Sequence, residues 1–216
     1  MLFNRKDRTL SMARLFGIRS RLVVLLVFLI SIAAYAQTES PRTADAGTSL
    51  LIIDVQEFYF PGGAVPLDDP EAASRNVGRL LKKFRDEKKM IIHIGHNAEK
   101  DVAFHSEAKP RAGEKVIFKD EISAFNGTEL LEYLKTNGIR RLVICGMQTH
   151  MCVEAAVRSA HDLGFECILV HDACATRDLK FEDRTIVAED VHYSTLSSLG
   201  GTYATIVDTH TFISTY

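Results

Sequence analysis

Six short apolar runs constrain this chain more than anything else in it: Leu50–Val55, Met90–Gly95, Lys115–Phe118, Arg141–Cys145, Glu166–His171 and Tyr203–Val207. They are rich in β-branched residues, show no apolar–polar alternation and are separated by amphipathic stretches. A strand with one wet face alternates, so runs like these belong to a parallel sheet covered by helices on both faces. The intervening pattern predicts helices over Glu71–Lys88, Thr128–Thr136, Thr149–Leu163 and Glu182–Leu199, with Asn137-Gly138 and Gly164 as stop signals. The expected fold class is α/β, a single three-layer α/β/α domain around a six-stranded parallel sheet. Ligands bind such sheets beyond the carboxyl ends of the strands, so the residues just after each run matter most.

The N-terminus stands apart from that pattern. Met1–Arg21 carries Arg5, Lys6, Arg8, Arg14, Arg19 and Arg21 against Asp7; the apolar run Leu22–Ala34 follows, and Ala34-Tyr35-Ala36 precedes Gln37. A basic leader, an apolar centre and a small-x-small site are the parts of a secretory signal. The apolar centre is shorter than the roughly 20 residues that span a bilayer. The expectation is a signal peptide over 1–36, cleaved after Ala36, and a secreted or periplasmic product with no stable membrane insertion; an uncleaved anchor is the alternative. Residues 37–47 read as a flexible lead-in and 48–216 as the domain. Without residues 1–36 the chain keeps 20 basic against 27 acidic residues, a net charge of about −7 with His neutral. An acidic chain with no basic run is a poor phosphate-backbone binder, which argues against a nucleic-acid partner. The 46% hydrophobic and 25% charged composition excludes disordered and low-complexity classes.

Three reactive side chains fall at strand ends: Asp54 in LLIIDVQ, Lys119 in VIFKD and Cys152 in CGMQTHMCVEAA. Cys152 lies in the first turn of a predicted helix, where backbone N–H groups and the helix dipole favour a thiolate, and a nearby ammonium such as Lys119 acts in the same direction. Acyl transfer also needs a proton carrier and oxyanion donors. Asp54 is the candidate carrier, Lys119 its orienting partner, and the amides of Gln148 and Cys152 are the candidate oxyanion hole.

With these residues the sequence resembles the isochorismatase-like cysteine hydrolases, which include nicotinamidases and other amidases. The resemblance runs from about Ser49 to Asp208. It is carried by Asp54-Val55-Gln56, by Lys119 with Ser123-Ala124-Phe125, by Cys145-Gly146-Met147-Gln148-Thr149-His150-Met151-Cys152-Val153-Glu154, and by Asp172-Ala173-Cys174-Ala175-Thr176. It implies strand order 3-2-1-4-5-6, an Asp54–Lys119–Cys152 triad, and a non-proline cis peptide near Met147–Gln148 that aims an amide at the substrate oxygen. It also makes a homo-oligomer an expectation.

Departures from the family pattern narrow the chemistry. Nicotinamidases carry an Asp-x-His element and further histidines that hold a metal, whereas this chain reads His93-Ile94-Gly95-His96-Asn97-Ala98-Glu99-Lys100-Asp101. His93 and His96 flank a strand end and send their side chains different ways, so His93, His96 and His105 do not read as a metal set. Isochorismatases proper cleave an enol ether without needing the cysteine; its presence here favours a carbonyl substrate. The expected activity is metal-independent, cofactor-free hydrolysis of a small-molecule amide or related C–N bond, with nicotinamidase-type chemistry or a non-catalytic binding protein as alternatives. Gln56, Phe58, His96, Phe125 and Thr149 are the candidate substrate contacts, with Tyr59 and Phe60 completing an apolar wall. Of the other cysteines, Cys145 and Cys167 read as core, while Cys174 sits near enough in strand order to be a redox partner of Cys152 in an oxidising compartment.

Overall fold

The computed structural model describes residues 47–100 and 102–216. The expected signal peptide, its cleavage site and nearly all of the lead-in lie outside the described residues. Strands β1 (Thr48–Ile53), β2 (Met90–His96), β3 (Lys115–Lys119), β4 (Arg141–Met147), β5 (Glu166–Ala175) and β8 (Thr205–Val207) form one sheet in the order β3-β2-β1-β4-β5-β8, every pair parallel. This is the expected 3-2-1-4-5-6 order, with β8 as the sixth strand. Leu50, Leu51, Ile52 and Ile53 of β1 are fully buried, as a central strand with helices on both faces requires.

Helix α1 (Pro70–Asp86) shows how the sequence makes these layers. Asp69 caps it by accepting the Ala72 N–H at 3.2 Å, Pro70 opens it, and Lys83 and Arg85 sit in its last turn. Ala73, Val77, Leu80, Leu81 and Phe84 form one buried stripe at helical spacing. The remaining helices are α2 (Leu130–Thr136), α3 (Glu154–Asp162), α4 (Ala188–Leu199) and α5 (Thr209–Thr215). α1 packs with α5, and α3 with α4.

Several boundaries differ from the sequence expectation, each for a local reason. The predicted helix from Thr149 divides: Thr149–Val153 is a π-turn and the α-helix begins only at Glu154. The predicted Glu182–Leu199 helix gives its first part to an antiparallel hairpin, β6 (Leu179–Phe181) with β7 (Arg184–Ile186). Glu182, at φ 55°, turns the chain there, and the extended Val187 restarts it as α4. Strand β5 runs on to Ala175, because a register shift between Ile144 and Gly146 lets Cys174 pair with Gly146. Gly146 itself has φ 123°, and a Cβ at this position would lie 2.0 Å from the Ile53 carbonyl oxygen. Only glycine fits so close to the neighbouring strand.

A mostly buried polar clamp ties α1 to the sheet edge. The Arg85 guanidinium donates to both Glu114 oxygens at 2.7 and 2.9 Å, Glu114 also accepts the Arg111 N–H at 2.8 Å, and it lies 2.9 Å from His93 Nε2. Burial alone would raise the Glu114 carboxyl, but Arg85, the Arg111 amide and His93 outweigh it and hold the group at about 2. Glu114→Gln is expected to destabilise the fold by about 1–3 kcal/mol at pH 7, measured by urea unfolding. Because the folded value is depressed, the stabilisation is complete above the ordinary carboxyl value of 4.5 and drains away as pH falls toward about 2. The gap between wild type and variant closes over that window.

Candidate active site

The three reactive side chains expected at strand ends meet in one place. Asp54 follows β1 at φ 50°, its N–H bonded to the Ile94 carbonyl of β2 at 2.9 Å. Lys119 ends β3 and reaches past the end of β2; Cys152 lies in the π-turn after β4. Lys119 Nζ is 2.9 Å from Asp54 Oδ2, 2.9 Å from His96 Nδ1 and 3.3 Å from Cys152 Sγ. Asp54, Lys119 and Cys152 are all essentially excluded from solvent.

An ammonium has three hydrogens and accepts nothing, so a nitrogen bonded to it must be the acceptor. It follows that His96 Nδ1 accepts and that the imidazole is neutral, with its hydrogen on Nε2. Burial and then the Lys119 charge hold His96 below its ordinary value of 6.5, which agrees with that tautomer. Burial pushes the Asp54 carboxyl up, opposed by Lys119. Apart from the ion pair, the Asp54 oxygens lack a well-angled hydrogen bond among the described residues, which leaves the carboxylate open to a proton.

The cysteine differs from the sequence expectation. Its thiol is pushed up to about 12 by burial and by the Asp54 carboxylate, against the pull of Lys119. The expected thiolate at an α-helix start gives way to a neutral thiol in a π-turn, whose Gln148 carbonyl takes the N–H groups of Met151 and Val153 on either side of Cys152. Asp54, His96 and Cys152 each place a ligand atom within 4.8 Å of the others, a geometry compatible with a metal ion. The Lys119 ammonium already contacts all three, so the cluster has a resident cation and fits a metal poorly. His93 and His105 turn elsewhere: His93 to Glu114, and His105 onto the Phe60 ring at 3.8 Å between centroids.

A cavity of about 430 Å³ meets the cluster at His96 and is lined by Phe58, Tyr59, Ala64, Val65, Gln148 and the segment His96–Lys100; Asp54, Lys119 and Cys152 lie behind that lining. Two candidate substrate contacts, Phe58 and His96, therefore face it, and three do not. Gln56 is fully buried, and its side-chain amide grips the backbone of residue 96, accepting the His96 N–H at 2.7 Å and donating to the His96 carbonyl at 3.1 Å. Thr149 is fully buried with its hydroxyl 2.9 Å from His192 Nδ1. Phe125 packs toward Phe165, 6.2 Å between centroids, away from the cavity lining. Phe60 lies in the core. Cys174 is a free thiol that contacts the Val170 carbonyl within its own strand, and Cys152 is likewise free. The Met147–Gln148 peptide is cis, as the motif suggested.

Arg177 was not foreseen. It donates from Nε to Gln148 Oε1 at 3.2 Å, bringing positive charge to the cavity rim. It directly follows the Asp172–Thr176 motif, which was the available signal.

The Isochorismatase domain model matches residues 48–195. The chain belongs to the isochorismatase family. An uncharacterised isochorismatase family protein of Bacillus subtilis strain 168, YddQ, is 40% identical over 177 residues, covering 77% of this chain and 98% of that one. The ureidoacrylate amidohydrolase RutB of Rhizobium rhizogenes is 28% identical over 136 residues, covering 61% of this chain and 54% of the enzyme. Among solved structures, an isochorismatase hydrolase from Oleispira antarctica, its function assigned as putative, superposes with a TM-score of 0.77 at 37% identity, covering 80% of this chain and 98% of that one. This isochorismatase-family hydrolase shares its fold with that solved structure.

Removing the ammonium tests how the family cluster is held together. Lys119→Met leaves Asp54 buried without its counter-ion, which is expected to cost about 3–5 kcal/mol when the carboxylate is charged. The carboxyl is raised, so this cost is full above its folded pKa and falls as pH drops through it. Urea unfolding should therefore show a larger loss at pH 8 than at pH 5, and equal losses would show that folded Asp54 holds the same charge in variant and wild type across that range.

Proposed function

We propose that this chain is a metal-independent cysteine amidohydrolase that opens a small-molecule amide, or a related C–N bond, through a thioester on Cys152. The observation that carries the reading is the single buried ammonium in contact with both a carboxylate and a thiol. Asp54 takes the thiol proton as Sγ attacks the carbonyl carbon. Lys119 stabilises the charge on whichever of the two is anionic, and the amides of Gln148 and Cys152 receive the oxyanion. Collapse breaks the C–N bond, and Asp54 returns its proton to the departing nitrogen. Water then attacks the thioester, Asp54 takes a proton from it, and the acid leaves as Sγ regains its hydrogen.

A thiol with a value near 12 fits this scheme because the nucleophile is made only when Asp54 receives its proton. The cavity supports a compact substrate: Phe58, Tyr59, Ala64 and Val65 suit an apolar or flat group, while His96, Asn97 and Gln148 supply polar contacts. The amidohydrolase RutB among the relatives supports a C–N bond as the target. The proposal includes export: the basic leader and apolar run over 1–36 support cleavage after Ala36 and activity outside the cytoplasm, on a substrate that is not a nucleic acid and with no cofactor. A homo-oligomer belongs to the same proposal.

Ammonia and amine release by the purified chain across a panel of small amides tests the reaction, and mass spectrometry of its N-terminus tests cleavage. Cys152→Ala is expected to abolish turnover, and its retention would sink the mechanism. Asp54→Asn is expected to lower turnover by about 10²–10⁴-fold, the usual worth of a general base. The same change removes the group that takes the thiol proton, so Cys152 should also react more slowly with iodoacetamide at pH 7. A variant that keeps wild-type turnover and alkylation would make Asp54 structural.

A further inference from the structure

Among the described residues, His96 both contacts the buried ammonium and lines the cavity. Its backbone is fixed before its side chain acts. Gln56 accepts its N–H and donates to its carbonyl, and the Gln56 amide is tied further to the Val102 carbonyl at 2.7 Å. The imidazole therefore stands on a clamped strand end with Nδ1 directed at Lys119.

The donor count gives that contact its meaning. Lys119 Nζ has three hydrogens; His96 Nδ1 and Cys152 Sγ accept hydrogen bonds from it, and Asp54 Oδ2 lies beside it as an ion pair. An ammonium rotates freely about its last bond unless its acceptors fix it. The Asp54 ion pair lacks the angle of a hydrogen bond and leaves that rotation open, whereas an acceptor at His96 Nδ1 fixes one hydrogen and with it where the second and the third must point. With His96 in place, that third hydrogen points at sulfur.

We propose that His96 is a positioning residue: as a neutral acceptor it orients the Lys119 ammonium toward Cys152 Sγ, and its protonation disarms the site in acid. This inference rests on the hydrolase reading only in taking Cys152 as the nucleophile. A protonated imidazole has no lone pair to offer and would face the ammonium as a second cation at 2.9 Å. Lys119 would turn away, and the sulfur would lose its partner.

The charges around His96 bear on when this happens. Lys119 disfavours the protonated ring, while Asp54 at the end of β1 and Asp120 and Glu121 after β3 favour it; burial and Lys119 together win, so the ring titrates below 6.5. Glu99 and Lys100, on the segment after β2, line the same cavity with opposite charges. The site thus stays armed at neutral pH and loses its orientation only under acidic conditions.

The test needs no substrate. The full chain labelled with ¹⁵N-histidine, with the His96 signals identified by their loss in His96→Asn, is expected to show Nε2 protonated and Nδ1 bare at pH 7, with a midpoint below 6.5. Alkylation of Cys152 by iodoacetamide is then followed from pH 5 to 8 in wild type, His96→Asn and His96→Leu. Leucine offers no acceptor and should slow alkylation about tenfold or more, as loss of a hydrogen bond to a charged group implies. Asparagine keeps an acceptor oxygen and should restore most of that rate. While thiolate is the minor form, the rate falls about tenfold per pH unit in any variant; wild type should fall faster than this below the His96 midpoint, and His96→Asn should not. A doubly protonated His96 at pH 7, or wild-type rate and slope in His96→Leu, overturns the proposal. If His96→Leu does not fold, the imidazole spectrum and the slope in His96→Asn decide it alone. Absence of amide turnover alongside the expected spectrum and slopes would count against the hydrolase reading and leave the role of His96 standing.

Discussion

A lysine ammonium with no access to water is the constraint around which this site is organised. Burying an unpaired cation costs several kcal/mol, so the chain must bring compensating groups to it. Lys119 finds a carboxylate on β1, an imidazole on β2 and a sulfur beyond β4. None of these lies near it in sequence, and only the order β3-β2-β1-β4 puts their carboxyl ends side by side. Stability and reactivity are therefore joined here, because the charge that must be compensated is the charge that serves the sulfur.

Much of this was legible in the sequence because parallel strands advertise themselves. Unbroken apolar runs such as Leu50–Ile53 located the strands, and the rule that ligands sit at carboxyl ends then singled out Asp54, Lys119 and Cys152. The motif resemblance added strand order and the cis peptide. What the sequence concealed was the direction of buried polar side chains. Gln56 lies two residues past Asp54, yet its amide turns to the backbone of His96. Thr149 follows the same peptide as the oxyanion candidates, yet its hydroxyl goes to His192, 43 residues away. Such contacts depend on tertiary neighbours that no local pattern reports. The hairpin Leu179–Ile186 was missed for a related reason, since its three-residue strands are too short to establish a period.

The protonation state of the cysteine was the other point out of reach. Helix starts and nearby lysines lower thiol values, and both seemed present from the motif. The folded chain adds a desolvated carboxylate beside the sulfur and replaces the first α-helical turn with a π-turn. Burial and like charge then outweigh the ammonium. Proximity in a motif told which groups meet, while the dielectric in which they meet decided their charge.

Gly146 has a consequence beyond its own backbone. It stands on β4 against Ile53 of β1, with no room for a single carbon between it and the Ile53 carbonyl. Asp54 is the next residue on one strand, and the turn bearing Cys152 begins a few residues along the other. In the proposed mechanism the gap between proton acceptor and nucleophile is thus gauged by a hydrogen atom: a methyl group here would act as a wedge driven between the two strands that lead to them. The loops around the cavity are free to change what is bound, but the working distance beneath them is set by a side chain that has to be missing.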